Sequence, residues 1–66
     1  MSFTAVCILD HQKNKTGIAT EEEAVFYIYS NICEKCQKSI SEINLENVFN
    51  TDCVSHFWWI EDDDDI

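Results

Sequence analysis

Sixty-six residues carry thirteen acidic side chains against four basic ones, a net charge of −9, with 45% hydrophobic content, four cysteines, one glycine and no proline. That length allows one domain, and a chain so short buries only roughly 60% of its unfolded surface, so its core is marginal without a metal, a crosslink or a partner. The hydrophobic content argues against intrinsic disorder, no apolar stretch reaches membrane-spanning length, and the acidity repels phosphate backbones and anionic lipid, which disfavours direct nucleic-acid or membrane binding.

The charge is unevenly spread. Asp10, Lys13 and Lys15 give residues 1–20 a net of +1, whereas residues 39–66 carry Glu42, Glu46, Asp52, Glu61 and four consecutive Asp, a net of −8 with no Lys or Arg. A protein with a basic surface is the natural complement. No basic segment precedes an apolar run, as a secretory signal would require, so the cysteines point to a reducing compartment. The expected location is cytoplasmic, the host cytoplasm if the chain is viral.

Residues 3–9 are short, apolar and rich in β-branched side chains, and a polar stretch follows them. They read as a strand. Phe3, Ala5, Cys7 and Leu9 form one face and Thr4, Val6 and Ile8 the other. Two mostly apolar faces suit a strand covered on both sides or paired in the middle of a sheet. Residues 11–16 with Gly17 read as a loop, and Ile18 and Ala19 as a short return strand.

Residues 20–43 carry the strongest helical signal. Thr20 followed by Glu21, Glu22 and Glu23 is a helix start: the hydroxyl can cap the Glu23 amide, and negative charge suits the positive helix end. Val25, Ile28, Ile32, Cys36, Ile40 and Ile43 recur at steps of three or four, with Tyr29 beside them. Glu23, Ser30, Asn31, Glu34, Lys38 and Ser41 fall opposite. With no Gly or Pro inside it, the stretch predicts one amphipathic helix of about five to six turns.

The three Asn among residues 44–50 favour caps and turns, so a short helical turn or irregular connection is expected to carry Leu45, Val48 and Phe49 into the core. Residues 53–60, dense in aromatic and β-branched side chains, read as the second main strand. Residues 61–65 are expected to be solvated by their own repulsion. The resulting fold class is α+β: one long amphipathic helix on a sheet of two to three strands around a β-α-β core. Residues 1–60 form the domain and 61–66 an acidic tail. A parallel arrangement would cross over right-handed. One helix covers only one sheet face, so one of the two tryptophans is left without a layer, which marks an interface with a second copy or another protein.

Cys33, Cys36, Cys53 and His56 spell C-x2-C-x16-C-x2-H. This is two ligand pairs of the kind a tetrahedral zinc needs, and it resembles the spacing of treble-clef and ribbon zinc modules. Cys7 and His11 would offer alternative ligands. Against this stands the plainer expectation that all four cysteines are reduced packing residues, because the helical period runs straight through Cys33 and Cys36. A redox C-x-x-C is disfavoured, since Cys33 would lie about three turns into the helix, far from the end that lowers a thiol pKa. No sequence context orients a cysteine nucleophile toward His11 or His56.

The acidic run follows directly on an aromatic one. Phe57, Trp58 and Trp59 with Glu61, Asp62, Asp63, Asp64 and Asp65 pair anchors with charge, and Tyr27, near the polar face of the helix, is a further candidate contact. Carboxylates in a row can imitate the phosphate line of nucleic acid, as small phage-encoded inhibitors of nucleic-acid enzymes do. The leading expectation is therefore a non-catalytic acidic protein, without a cofactor, that occludes a basic protein partner such as a nucleic-acid-processing enzyme. The alternative is a zinc-stabilised interaction module holding one structural zinc.

Overall fold

At the centre of the sheet lies β1 (Phe3–Cys7), flanked by β2 (Lys15–Ile18) and β3 (Trp58–Asp62) in the order β2-β1-β3. The computed structural model describes residues 2–62. Both pairings are antiparallel. The middle position of β1 follows from its two apolar faces, as the sequence predicts. The return of β3 beside β1 is antiparallel, so no right-handed parallel crossover forms.

A single turn of 3-10 helix, His11–Lys13, leads into β2, and the Asn14 Oδ1 accepts a hydrogen bond from the Cys7 amide at 2.8 Å, closing the end of β1. The return strand is longer and earlier than expected and contains Gly17. Phe3 pairs with Ile18 and Ala5 with Lys15, so two steps on β1 face three on β2. The extra residue is a bulge, and Gly17 at φ +69° takes the left-handed conformation that the bulge requires.

The helical layer differs most from expectation. In place of one helix of five to six turns there are α1 (Glu21–Asn31) and α2 (Glu34–Lys38), separated by extended backbone at Ile32 and Cys33. The N-terminus is as predicted, with the Thr20 hydroxyl accepting from the Glu23 amide at 3.1 Å. The break has a local cause. Ser30 Oγ and Asn31 Nδ2 both donate to the Tyr27 carbonyl, at 2.7 and 2.8 Å, so polar side chains compete for the backbone of the last turn. Gln37 Nε2 then donates to the Tyr29 carbonyl at 2.8 Å and ties α2 back onto the end of α1.

Two further short helices follow. In α3 (Leu45–Phe49), Asn44 caps the Asn47 amide at 2.8 Å. Next comes α4 (Asp52–Ser55), whose N-cap Thr51 is buried and donates its hydroxyl to the Val48 carbonyl at 2.8 Å. Residues 53–55 are thus helical rather than extended, and the last strand begins at Trp58. It also runs through Glu61 and Asp62, two residues expected in the solvated tail, which pair with Thr4 and Phe3 of β1. Asp63, Asp64 and Asp65 lie outside the described residues.

The core sits between the sheet and this helical layer. Ile28, Val48 and Val54 are its largest fully buried side chains, joined by Ala5, Cys7, Ile18, Ala24, Val25, Ile32 and Trp58. The predicted apolar stripe survives the helix break: Val25, Ile28 and Ile32 are buried, and Tyr29, Cys36, Ile40 and Ile43 pack half-buried against them. Leu45 does not follow Val48 and Phe49 inward; it is 42% exposed. Among the described residues, no helix is long and apolar enough to cross a membrane.

Candidate metal centre

The break in the helix decides where the cysteines go. Cys33, in extended backbone (φ −67°, ψ 156°), becomes the N-cap of α2, and Cys36 lies in that helix's first turn. Cys53 lies in the first turn of α4, seventeen residues beyond Cys36. The two helix starts face each other. The Cys36 and Cys53 sulfurs are 3.1 Å apart, those of Cys33 and Cys53 are 3.3 Å apart, and all three lie within 4.8 Å of one another. These separations are too long for a disulfide, and all four cysteines are free thiols.

Three of the four residues in the predicted zinc pattern are therefore brought together. His56 is not among them. It is the C-cap of α4, exposed, with its ring edge-on to Phe57 at 6.1 Å. Neither alternative ligand joins the group. Cys7 is 3% exposed, while His11 is exposed and its Nδ1 stands 3.4 Å from Asn14 Nδ2. Cys7 does share a cleft of about 190 Å³ with Cys33 and Cys53, floored by Ile32, Phe57 and Trp58.

Exposure separates Cys33 from the packing role expected of it. Cys33 is exposed and Cys36 and Cys53 are half-exposed; Cys7 alone is a buried packing cysteine. The premise that set aside a low-pKa thiol also fails, because Cys33 is not three turns inside a helix. The backbone amide of Cys36 beside the Cys33 sulfur is the largest influence holding that thiol below its ordinary value, and the Cys53 and Cys36 thiols add to it. Cys36 moves the other way, pushed up to about 11 chiefly because its thiol donates to the Cys53 sulfur. The two thiols are thus shifted in opposite directions, Cys33 down and Cys36 up.

Three soft ligands arriving on two short helices suit a thiophilic cation such as zinc. Zn–S bonds of about 2.3 Å in tetrahedral geometry place sulfurs about 3.8 Å apart, so an ion would move the Cys53 sulfur away from those of Cys33 and Cys36 by about 0.5–0.7 Å. Side chains on two helix starts can absorb that movement.

The predicted partner-binding residues divide by burial. Trp58 is 6% exposed and forms part of the core, its ring edge-on to Tyr27 at 6.1 Å. Tyr27 is half-buried, its hydroxyl donates to the Lys13 carbonyl, and Lys15 Nζ sits 5.2 Å from its ring centre, so it ties α1 to the β1–β2 connection. Phe57 is half-buried. Trp59 is 40% exposed and Glu61 and Asp62 are exposed beside it. Comparison with protein-family models, curated proteins and solved structures finds no match.

Proposed function

We propose that this chain is a small protein-interaction module whose fold is tied together by one zinc ion held by Cys33, Cys36 and Cys53. The convergence of three thiols from two helix starts carries the reading. A domain of this size has little core, and a metal joining α2 to α4 connects two four- and five-residue helices that would not persist alone. Metal binding then adds to the folding free energy of this small core. The third thiol is also what favours a metal over a redox pair, because dithiol exchange uses two sulfurs whereas a soft-metal site needs a third.

The fourth ligand is His56. It follows Cys53 by three residues, the spacing that puts side chains on one helix face, and its imidazole is exposed. The module acts by binding rather than catalysis. Its net charge of −9 directs it to a basic protein, and the exposed Trp59 favours the second reading, occlusion of such a partner.

Thermal unfolding with and without a strong chelator tests the metal. Chelation is expected to lower the melting temperature of the wild-type chain by ten degrees or more on the order expected for a structural metal, and to leave Cys53→Ser unchanged. Identical melting of the wild type in both conditions would overturn the reading.

A further inference from the structure

We infer that the groove between α3 and β3 is a docking site for a basic segment of a partner protein that carries apolar anchor side chains. Leu45, Phe49, Trp59 and Ile60 line this groove of about 450 Å³, with Glu21 and Glu46 at its rim. A second hollow adjoins it, sharing Glu21 and Leu45 and adding Glu22, Val25 and Ile43. No Lys, Arg or His lines either. Apolar side chains beside three carboxylates, with Asn44 and Asn50 as the neutral polar groups, are complementary to Lys or Arg flanking Leu- or Phe-like residues.

The occupant is not a second copy. This chain carries a net −9, and like rims of Glu21, Glu22 and Glu46 would meet across a symmetric contact. Next to the groove, Glu61 and Asp62 place carboxylates on β3, an edge strand, where charge discourages pairing with an identical edge. Trp59, on the β3 side of the groove, donates Nε1 to Glu61 Oε2 at 3.0 Å and is 40% exposed. An exposed indole offers a large apolar contact area with only two side-chain torsions to order on binding. The inference rests on the reading of the chain as a module that binds a basic partner, and the groove shares no residue with the three-thiol cluster, so variants of its lining leave the thiols in place.

Fluorescence anisotropy of a labelled peptide alternating Lys/Arg with Leu/Phe, titrated with the full-length chain, tests it. The expected result is saturable one-to-one binding, weakened at least tenfold by Trp59→Ser. Because Trp59 pairs with Val6 across the sheet, Leu45→Ser on the exposed side of α3 serves as a second variant with the same expected loss. Glu21→Gln with Glu46→Gln is expected to flatten the salt dependence. Three outcomes would overturn the proposal: no binding, equal binding by wild type and by Leu45→Ser and Trp59→Ser, or sedimentation showing a wild-type dimer that these variants dissociate. Equal binding would mean diffuse attraction to an acidic surface, and the dimer would make the occupant a second copy.

Discussion

The sulfurs of Cys36 and Cys53 lie 3.1 Å apart although sixteen residues separate them in the chain. Between them run α2, α3 and the buried turn at Thr51, so the contact closes a loop of the helical layer on itself. A metal bridging that point would restrain the segment from α2 to α4 over the sheet, by the same loop-closure argument that applies to a crosslink.

Cobalt substitution distinguishes the ligands. Co²⁺ added to the metal-free chain should give intense thiolate charge-transfer absorption, lost in Cys33→Ser, Cys36→Ser and Cys53→Ser. His56→Ala should retain that absorption but alter the visible ligand-field bands, since a nitrogen is replaced by water. Unchanged ligand-field bands in His56→Ala would exclude the histidine as the fourth ligand.

Alkylation of the metal-free protein should follow thiolate character and exposure. Cys33, exposed and held below the ordinary thiol value by the Cys36 amide, should react first. Cys36, pushed up to about 11, should lag near neutral pH, and raising the pH toward that value should close the gap. Cys7, 3% exposed, should react only on unfolding. Peptide mapping of a short iodoacetamide pulse reads the order directly, and equal labelling of Cys33 and Cys36 near neutral pH would contradict the geometry.

Gly17 tests the sheet independently of the thiols. Its φ of +69° strains any L side chain, yet a methyl group there would meet nothing within 4 Å. Gly17→Ala should therefore cost about 1–2 kcal/mol through backbone conformation alone. A neutral effect on chemical denaturation would mean that the bulge relaxes.

Core truncation should cost more. Val54 is fully buried and follows Cys53 in α4, and Ile28 is fully buried in α1. Ile28→Ala should destabilise by about 2–5 kcal/mol. That is a large share of the roughly 3–10 kcal/mol that a domain of this length holds, so the variant should be partly unfolded at room temperature by near-ultraviolet circular dichroism.

Much of the fold is written in periodicity. The cap at Thr20, the stripe from Val25 to Ile43 and the central place of β1 are legible because burial and capping impose them locally. The interruption at Ile32 and Cys33 is not, because the stripe keeps a helical period across two short helices packed on one surface. The available signal is the adjacent Ser30 and Asn31, whose side chains fold back to the Tyr27 carbonyl. Missing that break also misplaces Cys33, which becomes an exposed cap instead of a helix-interior packing residue. At residues 53–55, aromatic density further on hides the turn at Thr51. The C-x2-C and C-x2-H spacing offers four ligands, of which the structure brings Cys33, Cys36 and Cys53 together and leaves His56 outside the group.

The two indoles should behave differently. Trp58 is buried beside Tyr27 and Trp59 is 40% exposed, so iodide should quench one emitting population strongly and spare the other. Trp59→Phe should remove the quenchable, red-shifted component and Trp58→Phe the protected one. A single quenching constant for the wild type would contradict the assigned layers.

The most direct measurement of the central claim is native mass spectrometry of the chain purified without chelator. The predicted spectrum has a single folded charge-state series one zinc ion heavier than the apo-chain with two or more protons displaced, and Cys53→Ser lacks that series. A compact, metal-free series at the apo-chain mass, unchanged by added zinc, would contradict it.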